Sequence, residues 1–87
     1  MNLYREIENS FPTIEKLFTK EDLLEFKNAP LADLYLYHFG LGTWIRDNLL
    51  FSESLLYNLF LENGIENPDA MSGLVIKQFH CYLSHRN

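Results

Sequence analysis

One stretch carries the strongest fold signal in the chain: NPDAMSGLVIKQFHCYLS, residues 67–84. Asn67 can cap a helix, Pro68 suits the first turn because its missing N–H costs nothing there, and Asp69 complements the positive end of the helix dipole. Spacings of three and four then place one set of apolar side chains on a single face: Met71, Val75, Phe79, Tyr82 and Leu83. The stretch predicts a helix that ends near Ser84 and packs one face against a core.

A second periodic segment lies upstream, from Leu31 to Phe51. Its core-facing positions recur at three and four, and three aromatic residues widen the stripe: Leu34, His38, Leu41, Ile45 and Leu49, with Tyr35, Phe39 and Trp44. We expect one long central helix here, with the helix of residues 67–84 packed along it. Gly40 and Gly42 either break this helix or let another helix cross closely, and we prefer the crossing because the periodicity continues in phase.

The remaining segments also have helical signals. Ser52 or Ser54 can cap a helix that ends where Gly64 supplies a left-handed residue. Its apolar residues are Leu55, Leu56, Leu59 and Phe60. In the N-terminal part, Thr19 can cap a short helix by accepting a hydrogen bond from the N–H of Asp22.

These patterns together predict the fold class. No alternation of apolar and polar residues is sustained long enough for a strand. We therefore expect an all-α, small single-domain bundle of four or five helices. The domain would cover residues 1–87, with short helices in residues 1–29 and the helical core in residues 31–84.

The composition excludes several classes of protein. Twelve acidic and seven basic residues give a net charge of −5, and the basic residues are dispersed, which disfavours binding to nucleic-acid phosphates. The single Cys81 cannot form an internal disulfide, which favours a reducing compartment. The N-terminal residues lack the features of a signal peptide, and no apolar run is long enough to span a bilayer. We expect a cytoplasmic protein without membrane contact.

His38, His80, Cys81 and His85 are the residues that could bind a metal or act in catalysis. Their spacing argues against a shared site, because His80 and Cys81 are adjacent on a helix and His85 is five residues from His80. The simpler interpretation is a partly buried His38, a solvated His80 and His85, and Cys81 as a small residue in the core or at its boundary. We expect no metal, no cofactor and no catalytic residue. A small metal-binding or enzymatic protein that uses His38, His80 and Cys81 stays an alternative.

The candidate binding residues are Tyr37, Trp44, Arg46 and Asp47. Tyr, Trp and Arg are the residue types that most often dominate interface energetics. A wholly buried central helix accounts for many of the aromatic residues around them, so Arg46 and Asp47 are the stronger candidates for contact with a partner.

Two separated motifs carry a resemblance to a known family: HFGLGTWIRDN (residues 38–48) and NPDAMSG (residues 67–73). They are similar to the HFxLGxWIRNN and PDDMS signatures of a bacterial family classed as a domain of unknown function. The chain departs from that family's pattern at Asp47, Ala70 and Cys81. The resemblance implies a bacterial or mobile-element origin and transfers no reaction or ligand.

A physical role follows for two of the motif residues, since Arg46 and Asp69 can pair and tie the central helix to the start of the last one. We take Gly40, Gly42, Pro68 and Asp69 as structural residues. The leading functional hypothesis is a small acidic protein-binding module, with an inhibitor or immunity-type protein as its most specific form, whose partner protein has a basic surface. A helical nucleic-acid-binding protein is the further alternative.

Overall fold

The computed structural model describes residues 2–86, which form α-helices and one 3₁₀ helix without any strand. The elements are α1 (Leu3–Asn9), α2 (Phe11–Glu15), α3 (Lys20–Asn28), the 3₁₀ helix (Leu31–Tyr37), α4 (Leu41–Leu49), α5 (Leu55–Glu62) and α6 (Pro68–Ser84). The predicted all-α class of a small single domain is confirmed. The described residues contain six α-helices rather than four or five, because the N-terminal part forms three short ones.

Helix α6 lies at the centre of the fold and contacts α1, α3, α4 and the 3₁₀ helix. It does so because its buried face is wide: Met71, Ser72, Val75, Ile76, Phe79, His80 and Leu83. Four of the five predicted core positions on this helix are therefore confirmed. Tyr82 is the exception, since 39% of its surface is exposed.

Aromatic rings fill the middle of the core around Phe79. The centroid of its ring lies 5.4 Å from that of Phe11 and 5.6 Å from that of Phe26. The centroid of the Phe18 ring lies 6.0 Å from that of Phe79. Rings at these distances add to the stability that their buried area provides. Phe79 thus joins α6 to α2, to α3 and to the turn between them.

Several helices begin or end at the capping residues that the sequence predicts. Thr19 accepts a hydrogen bond from the N–H of Asp22 at 3.0 Å, and Ser54 accepts one from the N–H of Tyr57 at 3.1 Å. Asn67 accepts one from the second residue of α6 at 2.8 Å. Gly64 has a φ of 80°, the left-handed conformation that glycine adopts at least cost. These local predictions are confirmed.

The predicted continuous helix from Leu31 to Phe51 is wrong. A 3₁₀ helix and a turn occupy its first part, and α4 begins at Leu41 with Gly40 as its cap. A Cβ at Gly40 would meet no atom within 4 Å, so no close crossing explains this glycine. Gly42 is buried, and a Cβ there would make an ordinary contact with Ile76 of α6 at 3.7 Å, so α6 passes beside this glycine without excluding a Cβ. The two glycines therefore have different roles. The predicted helix is interrupted at Gly40, whereas Gly42 lies inside α4 where α6 packs beside it.

Candidate functional site

The 3₁₀ helix presents apolar side chains to solvent. It repeats every three residues, so positions three apart share a face. Leu34 and Tyr37 share the face that packs on the core. The next face carries Leu36, which is 61% exposed, and it continues to Phe39, which is 87% exposed. The helical spacing predicted that Phe39 widens the apolar stripe facing the core, and this prediction is wrong.

The same region contains two further exposed side chains, Leu31 at 65% and Tyr35 at 70%. Tyr35 was also expected to face the core, and its exposure contradicts this. We refer to Leu31, Tyr35, Leu36 and Phe39 together as the exposed apolar segment. None of the residues of the 3₁₀ helix itself is buried. The fold therefore leaves four large apolar side chains between residues 31 and 39 in contact with water.

A groove of about 400 Å³ lies beside this segment, between α3 and α4. It brings together two of the predicted binding residues, Tyr37 and Trp44. The other lining residues are Leu17, Phe18, Asp22, Glu25, Gly40 and Leu41. Asp22 and Glu25 are three residues apart on α3, a spacing that places both carboxylates on the same side of the helix. The groove therefore combines apolar lining, which includes three aromatic rings, with two acidic groups.

Tyr37 reports the electrostatic character of this groove. Burial raises the pKa of its phenol above the ordinary value of 10.0, and the negative charges of Glu25, Asp22 and Asp33 raise it further. Its ring packs edge-on against Phe26, with 4.8 Å between the centroids. The Tyr37 side chain is thus fixed by the core on one side and lies in a negative potential on the other.

A pH dependence follows from this raised pKa. The folded state holds the phenol proton of Tyr37 more tightly than the unfolded state, so its stabilising effect is complete below pH 10 and is lost as the pH rises through the folded-state pKa. We expect the free energy of unfolding of the wild type to fall more steeply above pH 10 than that of Tyr37→Phe. Urea unfolding across that pH range measures the difference, and parallel curves for the two proteins would contradict it.

Arg46 is engaged inside the chain. Its Nη1 donates a hydrogen bond to Ser72 Oγ at 2.9 Å and lies 3.4 Å from Asp69 Oδ1, while Nη2 donates to Thr43 Oγ1 at 3.0 Å. The predicted pairing of Arg46 with Asp69 is therefore confirmed, and it ties α4 to the start of α6. The Asp69 side chain is 67% exposed, which limits such a pair to about 0–1 kcal/mol. Asp47 is exposed on α4.

The histidine and cysteine candidates do not assemble into one site. His80 was predicted to be solvated, but it is buried. Its Nε2–H donates a hydrogen bond to the carbonyl oxygen of Ala29 at 2.9 Å, which satisfies this buried nitrogen. His38 lies near the other end of α6, with its Nε2 3.9 Å from Asp69 Oδ1. Within residues 2–86, no group of three or more His, Cys, Asp or Glu side chains is placed to hold a metal ion.

The structure does bring Cys81 next to His85, although the two were not predicted to be in contact. The Cys81 sulfur lies 3.7 Å from His85 Nδ1, and this nitrogen also bonds the carbonyl oxygen of Cys81 at 2.8 Å. The spacing of four along a helix was the available signal. A ring nitrogen that donates to a carbonyl cannot also accept the thiol proton, so the pair lacks the arrangement of an activated nucleophile.

Three of the seven basic residues have partners inside the chain. Arg86 donates to both carboxylate oxygens of Glu15, at 2.7 and 3.2 Å, and these bonds, with a weaker one to Tyr82, raise the pKa of its guanidinium. Lys27 donates to the carbonyl oxygen of Arg86 at 3.4 Å. Fewer basic groups are therefore free to bind nucleic-acid phosphates than the sequence suggests.

In residues 2–86, every helix is too short or too polar to cross a bilayer.

Comparison with known proteins gives one match. The model of a family described as Domain of unknown function (DUF6794) matches residues 5–83, which include both motifs quoted above. No curated protein and no solved structure matches the chain.

Proposed function

The chain belongs to the DUF6794 family, and we propose that it is a small protein-binding module that contacts its partner through the exposed apolar segment. The observation that carries this proposal is the exposure of 61% to 87% at Leu31, Tyr35, Leu36 and Phe39. Large apolar side chains exposed this close together in the sequence are unusual for free surface, and contiguous exposed apolar surface marks interaction sites. Tyrosine and phenylalanine are also enriched in protein interfaces.

The charge of the chain indicates the kind of partner. A net charge of −5 attracts a partner with a basic surface and speeds the encounter between the two proteins. An inhibitor or immunity-type protein that covers a basic surface of its target fits this combination of negative charge and exposed apolar groups. We also propose a bacterial origin, on the two sequence motifs, and a cytoplasmic location, because the single Cys81 is exposed and suits a reducing compartment.

Affinity capture from the source cell tests the proposal. We expect the wild-type chain to retain a specific protein, and we expect the double variant Leu36→Ser/Phe39→Ser to retain at least about tenfold less of it, because interface energy is concentrated in such side chains. High salt should slow association of the captured protein. Both substituted side chains are exposed, so the variant should fold normally.

The matched control is Phe51→Ser/Leu55→Ser, which also removes one exposed phenylalanine and one exposed leucine, outside the exposed apolar segment. This control should retain the partner as well as the wild type does. Capture of the same protein by Leu36→Ser/Phe39→Ser at the wild-type level would refute the assignment of the surface. Failure of the wild type to retain any specific protein would refute the binding function itself.

A further inference from the structure

We propose that the groove between α3 and α4 receives an arginine side chain of the partner protein, an inference that rests on the proposed binding function. The guanidinium would lie between the carboxylates of Asp22 and Glu25 and against the aromatic rings of Tyr37 and Trp44. The groove adjoins the exposed apolar segment, because Tyr37 is the last residue of the 3₁₀ helix. One partner segment can therefore contact both.

The carboxylates of the groove are available to a ligand. The ion pairs formed within residues 2–86 use Asp69 and Glu15 as their acidic members, so Asp22 and Glu25 have no cationic partner there. Both residues line the groove directly. A guanidinium can bind one or two carboxylates through paired N–H donors, and such charge-assisted bonds are about twice as strong as neutral ones.

The aromatic residues of the groove favour the same ligand. A guanidinium is attracted to the face of tryptophan or tyrosine and stacks on it, whereas an ammonium group forms no such planar contact. Burial raises the pKa of Tyr37, and the nearby carboxylates that raise it further also favour a cation in the groove. Arginine is therefore a better fit to these groups than lysine.

The remaining surface of the groove suits the hydrocarbon part of an arginine side chain. Leu17, Phe18 and Leu41 provide apolar lining. Long cationic side chains bury their methylene groups on such surface while the charged end stays with polar groups. The volume of about 400 Å³ is at the low end of ligand sites, which matches one or two side chains rather than a large cofactor.

The test uses a peptide probe and the fluorescence of Trp44, the only tryptophan of the chain. The probe is a short amphipathic leucine–serine peptide with one central arginine, and the matched peptide carries citrulline, which has nearly the same shape without the charge. We expect a saturable change in Trp44 fluorescence with the arginine peptide and an affinity at least about tenfold lower for the citrulline peptide. Equal affinity for both peptides, or no saturable change, would overturn the proposal.

Variants of the chain supply the second arm of the test. Asp22→Asn/Glu25→Gln keeps the shape of the groove and removes its charge, and it should bind the arginine peptide about tenfold more weakly than the wild type. The control Glu62→Gln/Glu66→Gln removes the same charge from residues that do not line the groove. It should bind within about twofold of the wild type at physiological salt, where distant charges are screened. Equal losses in the two variants would mean that only net charge matters and would overturn the proposal.

Capture of the partner separates this inference from the proposed function. If Asp22→Asn/Glu25→Gln retains the partner fully while Leu36→Ser/Phe39→Ser loses it, the arginine site is refuted and the binding function stands. If both variants lose the partner, both proposals are supported. If the wild type retains no partner, the binding function fails, and the peptide titration then shows whether the groove binds arginine on its own.

Discussion

Phe79→Ala is expected to lower the free energy of unfolding by about 3–5 kcal/mol, one of the two largest effects that we predict for a single substitution. Phe79 has no exposed surface, and its ring packs against those of Phe11, Phe18 and Phe26. A chain of this length has a total stability of about 4–13 kcal/mol, so the loss is a large part of it. Urea unfolding followed by far-ultraviolet circular dichroism measures the change.

Phe39→Ala is the matched control for this prediction. The same atoms are removed, but Phe39 is 87% exposed and packs against little of the protein. Its free energy of unfolding should stay within about 0.5 kcal/mol of the wild type. Similar losses in the two variants would mean that Phe79 is not in the core or that Phe39 is not on the surface.

Gly42→Leu is expected to destabilise the protein by about 1–3 kcal/mol. A Cβ at Gly42 would lie 3.1 Å from Arg46 Nη1 and 3.7 Å from both Ile76 Cδ1 and the carbonyl oxygen of Tyr37. A leucine side chain must therefore displace the Arg46 guanidinium from Ser72 or push α4 away from α6. Thermal unfolding of the variant gives the size of the effect.

Gly73→Leu is the control for the crossing of α4 and α6. Gly73 lies inside α6, and a Cβ there would meet no atom within 4 Å. Replacement of a glycine within a helix removes a cost of about 1 kcal/mol, so this variant should be as stable as the wild type or slightly more stable. A loss as large as that of Gly42→Leu would mean that packing of residue 42 against α6 and Arg46 is not the cause of the effect.

The parts of the fold that depend on local chemistry could be predicted from the sequence. Thr19, Ser54 and Asn67 cap helices through hydrogen bonds to residues two or three positions later, and the left-handed Gly64 follows α5. Such interactions are encoded within a few residues. Part of the buried face of α6 was also predictable, because Met71, Val75, Phe79 and Leu83 follow the apolar period, but the period did not predict the burial of Ile76 and His80.

The segment before α4 could not be predicted in the same way. A 3₁₀ helix repeats every 3.0 residues and an α-helix every 3.6, and over seven residues the two patterns of apolar positions are hard to separate. Leu34, Leu41 and Ile45 fit a continuous α-helix as well as a 3₁₀ helix followed by α4. The error mattered, because it assigned Tyr35 and Phe39 to the core when they form part of the exposed apolar segment.

The candidate site was predictable only in part. Tyr37 and Trp44 were proposed from residue type, and the pairing of Arg46 with Asp69 was proposed from the two motifs. Glu25 was not proposed as a site residue. It belongs to α3, and only tertiary packing brings it to the groove that Trp44 also lines. The spacing of apolar residues along the sequence does not show which helices enclose a groove.

Hydrogen exchange of the free chain and of the chain bound to its captured partner tests the central claim most directly. Slow exchange in a complex identifies the backbone that the partner covers or orders. We predict that added protection concentrates in residues 31–44, with a smaller effect near residues 22–25 of α3. Protection concentrated in α5, with unchanged exchange across residues 31–44, would contradict the claim that this protein binds through its exposed apolar segment.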